Sequence, residues 1–318
     1  MAKPAVILCM VLLLFCVGLV ACGAFIKRLP AGEVPSPTAL DKFIKVGNVR
    51  YHYLEYPGTG ENVLLLHGFG SSTYTWEAVA PYLNKQGYHV WAVDMKGFGW
   101  SDKPKNETYD PISLADGVNR WMEAVGLTRV AFVGNSLGGA VGLLTLLNHP
   151  DKVQRLVLID AAAYPQKLPK IISLSRVSPL VSLLKVFNGP WLIRWNLDEV
   201  FYDRDLVTKE RVTAYFDRLR TENGLDAQVA VARTLNPDAF ERFQKRIPEV
   251  NVPTLLIWGR DDRWVPLSIG QRFRKDIPGS VLVVLSRCGH IPQEERPEIT
   301  ARLVADFVAG KPVSDQTM

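Results

Sequence analysis

Arg129-Val130-Ala131-Phe132-Val133-Gly134-Asn135-Ser136-Leu137-Gly138-Gly139-Ala140-Val141 decides the fold of this chain. Its first five residues form a short, β-branched run of the kind that makes a buried parallel strand. From Leu137 the pattern changes to a helix that runs to about Asn148 and stops before Pro150. Between the two lies G-x-S-x-G. Glycines on either side of the serine let the backbone turn sharply without a Cβ clash, and the turn exposes the serine oxygen at a helix N-terminus. The five-residue motif alone recurs by chance. Its place between a strand and a helix makes Ser136 a candidate nucleophile rather than an ordinary turn serine.

Working outward, residues 43–46 and 49–56, joined by Gly47-Asn48, predict a hairpin. Short aliphatic runs at 62–66, 88–93, 153–159, 252–258 and 281–285 read as further buried strands. A helix is expected from Pro111, with Leu114, Val118, Trp121, Met122 and Val125 on one face. Strand-helix alternation of this kind implies an α/β fold with a mostly parallel sheet flanked by helices. The core is expected over 43–163 and 250–310, with a tail at 311–318. The interval 164–249 is too long for a loop and carries helix-like stretches at 171–187 and 208–219, so it reads as an inserted helical lid. Its basic residues, such as Arg176, Lys185, Arg218 and Arg220, are matched by nearby acids and read as a solvated face.

The chain has 318 residues, 37 Lys+Arg against 32 Asp+Glu, a net charge of +5 and 47% hydrophobic residues. These values exclude disordered and multi-span membrane classes, and the scattered basic residues give no stripe for nucleic acid. Ala5 to Ile26 runs without a charge between Lys3 and Lys27-Arg28, so 1–28 reads as a targeting or anchoring segment. Leu19-Val20-Ala21-Cys22 resembles a bacterial lipoprotein cleavage box, which makes Cys22 a lipidation site on a protein facing the periplasm or exterior. An uncleaved anchor helix and an ordinary cleaved signal are the alternatives. Residues 29–42, with prolines at 30, 35 and 37, read as an extended linker. Only Cys288 follows Cys22, so the folded part has no partner for an internal disulfide.

A serine nucleophile needs a base and a group that orients it. Of five histidines, His290 lies after the last strand and before the last helix, at the carboxyl edge of the sheet; His67 reads as structural. The acid follows the strand at 252–258, in Gly259-Arg260-Asp261-Asp262-Arg263-Trp264-Val265-Pro266. Asp262 is favoured, with Asp261 and Asp160 as alternatives, and the order Ser136, Asp262, His290 is the Ser, acid, His order of this architecture. The glycines of His67-Gly68-Phe69-Gly70 allow the Phe69 amide, together with that of Leu137, to form an oxyanion hole. No metal and no organic cofactor is implied.

Together with Asp94-Met95-Lys96-Gly97-Phe98-Gly99-Trp100-Ser101-Asp102-Lys103-Pro104 and Gly289-His290, these motifs resemble the α/β-hydrolase fold family over essentially all of 43–310. Haloalkane dehalogenases and epoxide hydrolases, similar around 97–104, use an aspartate nucleophile where this chain has Ser136. Gly134-Asn135-Ser136, residues 258–266 and 287–290 look more like the meta-cleavage-product hydrolases, which split a carbon-carbon bond with a serine triad. Those enzymes usually carry Trp after the catalytic histidine; here it is Ile291. The resemblance implies a serine hydrolase acting on a small-molecule acyl or ester substrate, with carbon-carbon hydrolysis as the alternative, and residues 1–28 add the expectation that it is membrane-attached. A non-catalytic lipid-binding protein is the rival of another class.

Overall fold

The computed structural model describes residues 28–30, 32–178, 181–182, 188–235, 241 and 243–318. Cys22 and nearly all of the targeting segment lie outside them. The hairpin forms from β1 (Asp41–Val46) and β2 (Val49–Tyr56) around Gly47, whose φ of 62° is the left-handed conformation the turn demands. It continues into β3 (Asn62–Leu66), β4 (His89–Val93), β5 (Val130–Asn135), β6 (Val153–Ile159), β7 (Thr254–Gly259), β8 (Val281–Leu285) and β9 (Gln316–Thr317). Their order across one sheet is β1-β2-β4-β3-β5-β6-β7-β8-β9. Only the pairings of β2 with β1 and β4 are antiparallel. The inner strands are buried on both faces, which is why their sequences run apolar without alternation.

Helices α1 (Val79–Lys85), α2 (Pro111–Ala124) and α3 (Leu137–Asn148) come before the long insertion. Pro111 opens α2 where no amide is needed, and the Asp110 side chain accepts from the Ser113 amide at 2.7 Å. Between β6 and β7 lie α4 (Lys170–Leu174), α5 (Pro190–Val200), α6 (Lys209–Leu219) and α7 (Gly224–Thr234). Then follow α8 (Leu267–Asp276), α9 (Pro292–Glu295) and α10 (Pro297–Val308). Trp121, Phe132 and Leu143 pack on one face of the sheet, in a cluster that the lid residues Leu197 and Phe216 join; Val79, Leu83, Val304 and Val308 pack on the other face. No helix among the described residues is long and apolar enough to cross a membrane.

Three expectations from sequence are corrected. Residues 29–42 are not a free spacer: β1 starts at Asp41, the Leu29 amide donates to Arg220 O at 3.2 Å, and the Glu222 amide donates to Leu29 O at 2.9 Å. The prolines remove donors, but the remaining amides find acceptors: Leu29 on the lid, Gly32 on Trp100 O, and Thr38 and Leu40 on side chains of the segment itself. The tail adds β9 to the sheet edge. Arg218 does not sit on a solvated face: its guanidinium stacks over Tyr74 at 5.2 Å and Trp100 at 5.1 Å, tying the lid to the core by cation–π contacts.

A buried charge cluster braces the loops below the serine turn. His52 places Nδ1 2.7 Å from Asp94 and Nε2 2.9 Å from Asp41. Asp94 also accepts from the Thr73 and Trp100 amides at 2.6 and 2.8 Å. Burial works against every charge here, but the two carboxylates outweigh it and raise His52 above its usual range, while His52 draws Asp94 well down and Asp41 down to about 2. The sign of the linkage follows. The carboxylates stabilise the fold above their unfolded pKa values and lose that as acid protonates them, whereas the His52 contribution is complete below 6.5 and fades as pH rises through its raised folded value. His52→Leu leaves the buried Asp94 and the half-buried Asp41 without their cation and is expected to cost about 3 kcal/mol. In urea melts across pH, the gap between wild type and variant should be widest at about pH 5–6.5 and narrow on the alkaline side.

Candidate active site

Ser136 occupies the turn between β5 and α3 with φ 54° and ψ −117°, a conformation that costs a non-glycine residue energy. Close packing holds it there. A Cβ on Gly134 would lie 2.4 Å from Gly138 O, and one on Gly138 would lie 2.4 Å from Leu66 O, so both glycines of the G-x-S-x-G motif are set by backbone approach. The Ser136 amide donates to Ile159 O at 2.9 Å, and its carbonyl accepts from Gly139, Ala140 and Ala162. The side chain stands at the N-terminus of α3, where the helix dipole favours developing negative charge.

Asp262 and His290 arrive from the ends of β7 and β8. His290 Nδ1 and Asp262 Oδ2 are 2.7 Å apart, and Asp262 Oδ1 accepts from the Trp264 and Val265 amides at 2.7 and 3.0 Å. Those bonds fix the carboxylate and leave it one oxygen for the imidazole. Asp261 does not meet His290; its amide donates to Cys288 O. Asn135 joins the serine turn to the histidine loop, its Nδ2 donating to both Ile159 O and His290 O at 3.1 Å. The His290 amide donates to Val200 O, and Glu295 accepts from the amides of Gly289 and the lid residue Tyr202, each at 2.7 Å. Burial pushes Glu295 up to about 7. Ser136, Asp262 and His290 are all buried.

His67 has the structural place expected of it: Nδ1 bonds Gly68 O at 2.8 Å, Nε2 accepts from the Met95 amide at 3.1 Å, and burial lowers its pKa, which suits the neutral ring. Beside it, the Phe69 and Leu137 amides are taken by no protein acceptor among the described residues. Two chambers meet at Phe69. One brings Ser136 together with Phe69, Leu137, Ile172, Trp264 and Val265; the other lies among Phe69, Ile171, Leu192, Ile193, Leu219 and Leu225. None of the described residues lining either chamber carries a charge.

The family model of the alpha/beta hydrolase fold matches residues 61–297. The chain belongs to the α/β-hydrolase fold family. Among curated members of that family, it is 29% identical over 286 residues to a 2-hydroxy-6-oxo-6-phenylhexa-2,4-dienoate hydrolase of Burkholderia cepacia, covering 86% of this chain and 98% of the relative. It is also similar to the structure of a meta-cleavage product hydrolase from Pseudomonas fluorescens IP01, at a TM-score of 0.74 and 30% identity, over 85% of this chain and 97% of that one. A membrane phospholipase A, described as a bacterial virulence factor, matches at a TM-score of 0.69 and 29% identity, over 97% of this chain and 99% of its own.

In this α/β-hydrolase, sequence reasoning missed Asn135, Glu295 and the lid contacts of the His290 loop. Asn135 stands inside the quoted G-x-S-x-G, yet nothing local tells that its side-chain amide reaches the carbonyl of His290, 155 residues on. Glu295 follows His290 by five positions with only a proline-initiated turn between them, and that closeness was the available signal.

Proposed function

We propose that this protein is a membrane-attached serine hydrolase of carboxylic esters with apolar acyl groups. Ser136 Oγ attacks the ester carbonyl while His290 Nε2 takes its proton, and Asp262 orients the imidazole and stabilises its charged form. The Phe69 and Leu137 amides receive the oxyanion. The carbon–oxygen bond then breaks, the alcohol leaves with the proton from His290, and water repeats the sequence to release the acid and restore Ser136.

The absence of charge among the described residues that line both chambers carries this reading. The carbon-carbon hydrolases to which the chain is similar provide the second reading, but a dienoate brings a carboxylate, and burying an anion without a cation partner is strongly unfavourable. Apolar walls instead suit a neutral hydrocarbon chain. Membrane attachment is supported by the uncharged run from Ala5 to Ile26 and by the similarity to a membrane phospholipase A across 97% of the chain. Attachment through lipid on Cys22 predicts a mature N-terminus at that residue; an intact Met1 in the mass of the isolated protein assigns it to an uncleaved anchor instead.

A chain-length series of p-nitrophenyl esters tests the chemistry. We expect kcat/KM to rise with acyl length as successive methylenes are buried, by up to about 0.8 kcal/mol each, and turnover of 2-hydroxy-6-oxo-6-phenylhexa-2,4-dienoate to be negligible. Rapid turnover of the dienoate with poor ester hydrolysis would reverse the assignment.

A further inference from the structure

Asp160, at the end of β6, lies beside Asp262 and plays no part in the reaction as written above. It is fully buried and held at φ 44°, a strained conformation for a residue with a Cβ. Its amide donates to Ile257 O and its Oδ1 accepts from the Gly259 amide, both at 3.0 Å. Oδ2 meets no donor among the described residues. The reactive atoms of Asp160, Asp262 and His290 all lie within 4.8 Å of one another.

Two buried carboxylates at such range do not both ionise; one keeps a proton. Asp262 accepts from two backbone amides and the imidazole, so the negative charge settles there. Asp160 accepts from a single amide, and the groups around it are Asp262, His290, Glu295 and the Cys288 thiol, with Arg296 the cation on that side. A protonated Oδ2 resolves its missing partner, since a hydroxyl there donates where an ionised oxygen has nothing to accept. Burial first, and the charge of Asp262 second, raise Asp160 far above the ordinary carboxylate range.

We propose that Asp160 is a positioning residue: its neutral carboxyl donates a hydrogen bond to Asp262, fixing the acid against His290 and drawing off part of its negative charge. The proposal rests on the assignment of His290 as the base. No proton leaves Asp160 during turnover, and its place at the end of β6 ties the acid to the strand that also accepts from the Ser136 amide.

Two substitutions test it through the acid limb of the kcat/KM profile. Asp160→Asn keeps a neutral donor toward Asp262 and an acceptor for Gly259, so its kcat and acid limb should stay near those of wild type. Asp160→Ala removes the donor and leaves Asp262 with its full charge. The imidazolium is then better stabilised, the acid limb moves to higher pH, and kcat falls about tenfold to a hundredfold, the scale of a small misplacement in a catalytic group. An ionised Asp160 would give a different sign, because Asp160→Asn would then delete a negative charge beside His290 and move the limb to lower pH. That shift, or an Asp160→Ala protein with the wild-type profile, would overturn the proposal. Infrared difference spectra of wild type against Asp160→Asn read the proton without catalysis. A protonated-carboxyl carbonyl band lost in the variant supports the proposal even if esters prove not to be the substrates, and a carboxylate band lost instead refutes it.

Discussion

Ser136→Ala is expected to reduce ester hydrolysis by about a million-fold in kcat while leaving a folded protein. The size follows from the serine's role as the atom that forms the covalent bond; removal of a triad nucleophile in a comparable enzyme costs about this much, on the order of 8 kcal/mol of barrier. Stability should change little. Alanine keeps the Cβ already accommodated at φ 54°, and the Ser136 backbone bonds to Ile159, Gly139, Ala140 and Ala162 do not involve the hydroxyl. Steady-state kinetics with a p-nitrophenyl ester, paired with a thermal melt, check both halves. A variant that melts like wild type and still turns over would leave the serine mechanism without support.

Asp262→Asn should lower kcat by about ten-thousand-fold, the effect of presenting the base with the wrong tautomer in an otherwise intact triad. Asp262 Oδ2 is the partner of His290 Nδ1 at 2.7 Å, and an amide there presents either a donor where a donor already stands or a weaker acceptor. The two backbone bonds to Oδ1 survive, so the loop keeps its shape. Activity near wild type in this variant would hand the role to Asp160, the other buried carboxylate within reach of His290.

These expectations depend on features that differed in how far they could be read from sequence. The serine turn was legible because its demand is local: Gly134 and Gly138 are needed where backbones approach within van der Waals contact of a Cβ. Strand runs and the helix starting at Pro111 were legible because buried strands and amphipathic faces leave periodic traces within ten or fifteen residues. The pairing of Asp262 with His290, rather than Asp261, is explained by the turn that aims Oδ1 at the amides two and three residues on in its own loop.

What stayed hidden is non-local. Residues around Leu29 look like a proline-broken spacer, and only the folded lid, 190 positions away, supplies the acceptor on Arg220 and the donor on Glu222. The short β9 strand is two residues with no apolar pattern, added because the edge of β8 offers unpaired backbone groups. Arg218 reads as a surface charge until Tyr74 and Trp100 are brought beneath it. His52 is one histidine in a hairpin until Asp94 folds against it, and the partnership of Asp160 with Asp262 has no sequence signature because their strands meet only in the sheet.

Mass spectrometry of the protein quenched during turnover of a p-nitrophenyl ester tests the central claim most directly. We expect a mass increase equal to the acyl group less one hydrogen, carried on the peptide that contains Ser136 and absent from Ser136→Ala. Full turnover by wild type after quenching at several times with no adduct on Ser136, or with the acyl group on another residue, would contradict it.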